Sequence, residues 1–203
     1  MRVMKETAEP APPPAPGAER YLSLDLANSA LVRPGGDLDL LDSPAAATSW
    51  LVERELAPSD ARLQEVCAER LRGFRQQMRA LLASRIADLP APPQALRTVN
   101  HALARVPSAP LLRWDEAHGL HRAQAHPTDQ LLDHALALLA ADAADLLTGA
   151  DAERLAACGS APCSRYLLRT HAARHWCSVR CGDRARAARA YARRTRTTGM
   201  PQA

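Results

Sequence analysis

The chain has 203 residues, of which 47% are apolar, 3% aromatic and 24% charged, with a formal net charge of +4. This length allows one or two domains with a core built from leucine and alanine, and no stretch nears the roughly 18 consecutive apolar residues of a membrane-spanning helix. The small net charge hides a division, because residues 1–153 carry 15 basic and 21 acidic side chains while residues 154–203 carry 11 basic and 1 acidic. A polyanion partner, or an acidic surface for the tail to pack against, is expected.

Residues 1–19 are a proline-rich leader. It lacks the apolar core of a secretory signal, which points to a cytoplasmic protein, and it is expected to be a disordered tail or, alternatively, a docking peptide. Tyr21–Asn28 (YLSLDLAN) fits a short strand or the start of a helix, and the turn Arg33–Asp37 before Leu38 allows a small hairpin. Asp25 and Asn28 are polar residues inside this apolar stretch. They are expected to bond nearby backbone, or else to line a small-molecule pocket together with Asn100.

Ser43-Pro44 predicts a helix start, with Ser43 as cap and Pro44 in the first turn, running to about Leu56. Ser59 is a candidate cap for the next helix. Leu63, Val66, Cys67, Leu71, Phe74, Met78, Leu81, Leu82 and Ile86 recur at three- and four-residue steps and predict a long amphipathic helix to Leu89. Cys67 falls on its apolar face as a small hydrophobe. Leu96, Val99, Leu103 and Val106 mark the buried stripe of a further helix ended by Pro107. Leu111–Trp114 and Leu120–Ala125 predict a hairpin. Thr128 opens a leucine-alanine helix with Gly149 as its terminator, and a short helix or turn over Asp151–Ala157 leads into the cysteines.

Four of the five cysteines follow, spaced C-x4-C-x13-C-x3-C. Two short-spaced thiolate pairs joined by a loop are what tetrahedral zinc needs. Cys158, Cys163, Cys177 and Cys181 are therefore the predicted ligands of one structural Zn2+; disulfides are the poorer alternative. A site filled by four thiolates leaves no position for substrate. His171 and His175 are the local substitutes and are expected to face solvent. After Cys181, the run GDRARAARAYARRTR predicts a basic helix, in which Arg184, Arg186, Arg189, Arg193 and Arg194 are the candidate phosphate or base contacts. Tyr191 is expected to pack back on the metal core with Trp176, Tyr166 and Leu167. The chain has no HExxH, no phosphate-binding glycine loop and no G-x-S-x-G elbow. Asp115, Glu116, His118 and His121 are read as a solvated loop rather than an acid-base or metal cluster. No enzymatic activity is expected.

Residues 154–194 (RLAACGSAPCSRYLLRTHAARHWCSVRCGDRARAARAYARR) resemble the CGNR-type zinc finger of bacterial proteins. LSLDLANS at 22–29 and DLLDSPAAATSWL at 39–51 resemble the mostly helical ABATE-type domain that accompanies that finger. The resemblance covers nearly everything from residue 20 to residue 196. It implies a stress-induced transcriptional regulator, with the family's zinc cysteines falling on Cys158, Cys163, Cys177 and Cys181. Asp183 stands where the family's motif has asparagine, the middle spacing is shorter than usual, and the second pair is C-x3-C rather than C-x4-C. The expected architecture is mostly α. A helical domain over 20–150 with one or two small β-hairpins precedes a zinc-nucleated module over 151–197 ending in a basic helix, and residues 198–203 are a tail. The leading expectation is a DNA-binding regulator. The alternatives are a protein-interaction module, serving a homo-oligomer or an acidic partner, and the small-molecule pocket at Asp25, Asn28 and Asn100. No membrane partner is expected.

Overall fold

A computed structural model describes residues 12–106, 111–123 and 130–198 of the protein. Six α-helices and three two-stranded antiparallel ladders are present among them, one ladder more than expected. None of the described helices is long and apolar enough to cross a membrane.

Tyr21–Asn28 resolves in favour of a helix, α1 (Leu22–Ala27). A helix this short has nearly all its first N–H groups unsatisfied, and here another element supplies the acceptor. The Asp142 carboxylate accepts from Leu22 N–H at 3.2 Å and Ser23 N–H at 2.7 Å. Burial pushes the Asp142 carboxyl above its ordinary value despite these bonds. The predicted hairpin follows as β1 (Ala30–Leu31) paired with β2 (Leu38–Asp39).

Ser43 caps α2 (Pro44–Glu53) as expected, its Oγ accepting from Ala46 N–H at 3.2 Å. The helix stops at Glu53 because Glu55 turns the chain with φ 58°. Ser59 does not cap the following helix. Leu63 N–H is held by Thr48 Oγ at 3.0 Å, residues 61–64 are non-helical, and α3 begins only at Glu65 and runs to Ile86. Leu71, Phe74, Met78, Leu81 and Leu82 are buried as the periodicity predicts. Cys67 is half-buried against the core, and Val66 is outside it. Arg75 lies on the same inner face and is itself buried. It makes a forked pair with Asp39 at 2.6 and 2.7 Å and donates to Ser29 Oγ at 3.0 Å.

Helix α4 (Pro93–Arg105) keeps half of its predicted stripe. Val99, and Val106 just after the helix, are buried as expected, but Ala95 and Ala102 are buried in place of Leu96 and Leu103, which face outward. Both stripes have helical period, and close packing of α4 on α5 (Leu131–Thr148), whose buried residues include Ala135, Ala140 and Ala143, favours the small side chains. The α5 start expected at Thr128 lies outside the described residues. Its end is fixed by Gly149, where a Cβ would meet the Asp145 carbonyl oxygen at 2.6 Å. Helices α1 to α5 enclose one continuous apolar core. Between α4 and α5, β3 (Leu111–Asp115) pairs with β4 (Gly119–Ala123), with Trp114 opposite Leu120. Asp115 stays within this exposed hairpin, its carboxylate 3.0 Å from His118 Nδ1 and 3.5 Å from His121 Nε2.

A 3-10 turn (Ala150–Arg154) leads into β5 (Leu155–Ala157), which pairs with β6 (Tyr166–Leu168). The chain closes with α6 (Val179–Thr198), longer at both ends than the predicted basic helix.

Candidate metal centre and basic helix

The β5–β6 hairpin presents the first cysteine pair; of the second pair, Cys177 lies in the loop just before α6 and Cys181 in its first turn. Cys158 N–H donates to Arg165 O at 2.8 Å and Cys163 N–H to Ser160 O at 2.9 Å, which fixes the loop between the strands. Cys181 N–H is held by Ser178 Oγ at 3.2 Å. The result places the sulfurs of Cys158, Cys163, Cys177 and Cys181 all within 4.8 Å of one another. Cys177 Sγ lies 3.7 Å from Cys163 Sγ and 3.6 Å from Cys181 Sγ. Metal–sulfur bonds of about 2.3 Å in a tetrahedron put neighbouring sulfurs about 3.8 Å apart, so the observed spacing fits a tetrathiolate ion.

The surroundings are built for negative charge. Arg165 is buried, with its Nη1 3.9 Å from Cys177 Sγ. Arg184 Nη2 lies 3.4 Å from Cys181 Sγ, and Cys177 N–H donates to Cys158 Sγ at 3.4 Å. A divalent ion with four thiolates carries two negative charges, and these two guanidiniums offset them. Without an ion the thiols restrain one another. Bonds from Cys163 and Cys177 lower Cys158 to about 2, whereas the bond to Cys158 is the main reason that Cys163 is raised to about 11 and Cys177 still further.

The leader was expected to be a disordered tail or, alternatively, a docking peptide; Pro12–Gly17 pack on this centre and its hairpin. Ala15 is fully buried in the cluster formed by the cysteines and Leu167. Arg165 Nη2 donates to Pro13 O at 2.7 Å and Leu168 N–H to Pro16 O at 2.7 Å, so the leader forms a strap across the hairpin. Gly17 makes the close approach possible. Its φ is +95°, and a Cβ there would meet Leu168 Cγ at 2.6 Å. Gly17→Ala should therefore cost about 1–3 kcal/mol through clash and strained backbone. Urea unfolding measures this, and a variant as stable as the parent would show that the strap contributes nothing.

The structure distributes the predicted arginine contacts unequally. Arg184 is turned into the finger, donating to Ala161 O at 3.0 Å and Ser160 O at 3.1 Å as well as facing Cys181. Arg186 and Arg189 lie over the Trp176 ring at 5.5 and 5.4 Å. Asp183, the residue replacing the family's asparagine, pairs with Arg186 at 2.5 Å. Gly182 lets α6 sit on Trp176, since a Cβ would come within 3.1 Å of that ring. Arg193 and Arg194 are exposed on the helix, and so are His171 and His175 in the loop before it. Tyr191 does not pack on the metal core. It is 71% exposed, because it falls on the side of α6 away from Gly182 and Trp176.

Asp25 and Asn28 share a cavity of about 420 Å3 with Trp50 and Arg54, and Asn100 is not part of it. Asn100 is exposed on α4. Asp25 is ion-paired to Arg54, which stacks over Trp50 at 4.3 Å. Asn28 joins the helical domain to the finger. Its Nδ2 donates to Tyr166 O at 2.9 Å and its Oδ1 accepts from Tyr166 N–H at 2.8 Å, completing the free edge of β6. Arg79 reinforces the seam, donating to Ala27 O at 2.5 Å and to Ser164 O at 2.8 Å. Sequence reasoning noticed Asn28 but not Arg165 or Arg79, because arginine is ordinarily a surface residue.

Comparison with known families agrees with both halves of this architecture. No curated protein matches the chain. The CGNR zinc finger model matches residues 154–194, which hold the four cysteines and most of α6. The ABATE model, described as "Putative stress-induced transcription regulator", matches residues 21–150, the helical domain and its two hairpins. Because that match spans most of the chain, the protein belongs to the ABATE family, with a CGNR finger following the ABATE domain.

Proposed function

We propose that the protein is a DNA-binding transcription regulator whose finger is held by one structural zinc ion. Zinc suits four thiolates in a closed tetrahedron, and such a site contributes folding energy rather than catalysis. The observation that carries the DNA reading is the geometry of α6. Arg186, Arg189, Arg193 and Arg196 recur at three- and four-residue steps on this helix and so share one face, the face that starts at Trp176. Arg194 flanks it, and Arg184 acts by holding the finger together. The helix has one acid, Asp183, which pairs with Arg186 of this row, so it meets a polyanion as a predominantly basic surface.

Backbone contacts of this kind release counterions. Binding to random duplex DNA should weaken steeply between low and physiological salt. Alanine at Arg186, Arg189 and Arg193 should flatten the log–log salt slope by about 0.9 for each phosphate that is no longer neutralised. A mobility-shift titration reads both. No complex at low salt with the metal-loaded protein would sink the proposal. A protein partner is the second reading, favoured by one observation: Leu112, Trp114 and Leu120 on the β3–β4 hairpin are 67–69% exposed. Leu112 and Trp114 share a strand face, and Leu120 lies opposite Trp114, so the three form one apolar strip. Sedimentation would reveal self-association through it.

A further inference from the structure

The four sulfurs of the metal centre are not equivalent. Cys158, Cys177 and Cys181 are buried, whereas Cys163 is half-buried. Cys163 also lines an open groove of about 600 Å3 between the leader strap, the β1–β2 hairpin and the start of α6. Cys177 and Cys181 line the same groove but are only 4% and 6% exposed, so a small solute entering it meets Cys163 first. In contact with Cys163, at 3.7 Å between the sulfurs, is Cys177 from the other pair.

A reachable thiolate with a second one in contact is the arrangement that stepwise oxidation to a disulfide requires. We propose that Cys163 and Cys177 are a peroxide-oxidised pair whose disulfide opens the metal centre. The Cys163 sulfur attacks one oxygen of hydrogen peroxide; the S–O bond forms, the O–O bond breaks and hydroxide leaves. The Cys177 sulfur then attacks the sulfur of this sulfenic acid; the S–S bond forms, the S–O bond breaks and a second hydroxide leaves. The two sulfurs together give up two electrons, and the peroxide takes both. Cys181 Sγ is as close to Cys177, at 3.6 Å, but both of those sulfurs are buried, so the reaction does not start between them.

The disulfide removes two of the four thiolates, and Cys158 and Cys181 alone cannot close a tetrahedron around the ion. It also removes the negative charge facing Arg165. Arg165 is 4% exposed and holds the Pro13 carbonyl oxygen at 2.7 Å, so a neutral Cys177 leaves a buried guanidinium short of counter-charge beneath the strap. Oxidation thus loosens both α6 and the leader from the β5–β6 hairpin, and a thiol reductant reverses it. The inference rests on the tetrathiolate reading of the centre and not on DNA binding.

The test is treatment of the metal-loaded full chain with hydrogen peroxide, reading released zinc with a chromogenic chelator and disulfides by peptide mass spectrometry. Release should be about tenfold or more faster than from the untreated chain, with Cys163 and Cys177 the first two cysteines joined. Cys67 is the internal reference, since it is half-buried on α3 and outside the centre. It should still be a free thiol when the first zinc has left, and Cys67→Ser should release zinc at the parent's rate. Dithiothreitol with added zinc should restore the loaded protein. Zinc retained while Cys67 is oxidised would overturn the proposal, and so would a first disulfide between any other pair, loss of release in Cys67→Ser, or a loss that the reductant does not reverse. A chain that takes up no ion would fail the metal reading instead, and the disulfide map alone would then decide this one.

Discussion

Cys177→Ser is expected to empty the metal centre and unfold the finger while the helical domain stays folded. Cys177 is the hub of the cluster, with its sulfur within 3.7 Å of two other thiols and its N–H on the sulfur of Cys158. The finger's own buried cluster consists of Ala15, Ala156, Leu167 and three of the cysteines, too little apolar surface to fold unaided. A structural zinc ion supplies about 10–16 kcal/mol of folding free energy in comparable modules, and a serine oxygen recovers only a small part of it. The core of α1 to α5 draws only Leu155 and Leu168, with Tyr166 at its margin, from the β5–β6 hairpin and keeps its cooperativity. Metal analysis should fall from about one ion per chain to near none, with loss of the circular-dichroism signal of α6. A metal-free variant that still protects the amides of α6 from hydrogen exchange would contradict this account.

Asp39→Ala is expected to destabilise the helical domain by about 3 kcal/mol, because it strands a guanidinium in the core. The Arg75 side chain is 3% exposed and that of Asp39 34%, so the cost falls at the lower end for a broken buried pair. Adding Arg75→Met should restore most of the loss, since a shape-filling apolar side chain needs no counter-charge. Acid titration separates the electrostatic origin from packing. Burial opposes the charge on Asp39, but the Arg75 guanidinium and the Leu41 N–H outweigh it and hold the carboxyl below its ordinary value. The stability linked to this group is thus complete above the unfolded value near 3.9 and disappears as pH falls through the lower folded value. Urea unfolding should show a large gap between parent and variant at neutral pH that closes as pH falls through the lowered folded value of Asp39. A gap that persists in acid would assign the loss to packing instead.

The metal centre was legible in the sequence because thiol spacing is a local signal, and so was the Ser43-Pro44 helix start, where the cap and its N–H are three residues apart. What escaped depends on distant partners. Tyr21–Asn28 carried no decisive period, and its helical form is set by Asp142 of α5. The β5–β6 ladder is three residues on each side, too short for alternation to show. Val99 and Val106 of the α4 stripe were read correctly, but Leu96 and Leu103 were taken in place of Ala95 and Ala102, because alanine gives a weak hydrophobic signal although close helix packing prefers it. Arg75 and Arg165 were invisible as core residues since their burial depends on Asp39 and on the thiolates. The joining role of Asn28 needs Tyr166, 138 positions away.

The strap also imposes an order of events. Pro13 and Arg165 are 152 residues apart. At synthesis rates of about 5–20 residues per second, roughly 8 to 30 s pass between the making of the two. The helical domain's own sequence, residues 21–150, is complete before residue 165 is made, while residues 12–17 still have nowhere to dock. Final closure therefore waits for the cysteine segment to emerge and fold, and the beginning of the described chain is among the last parts to settle. A finger cut out at residue 154 would have the same deficit permanently: its four thiols would be intact, but the seat of Ala15 would be open to water.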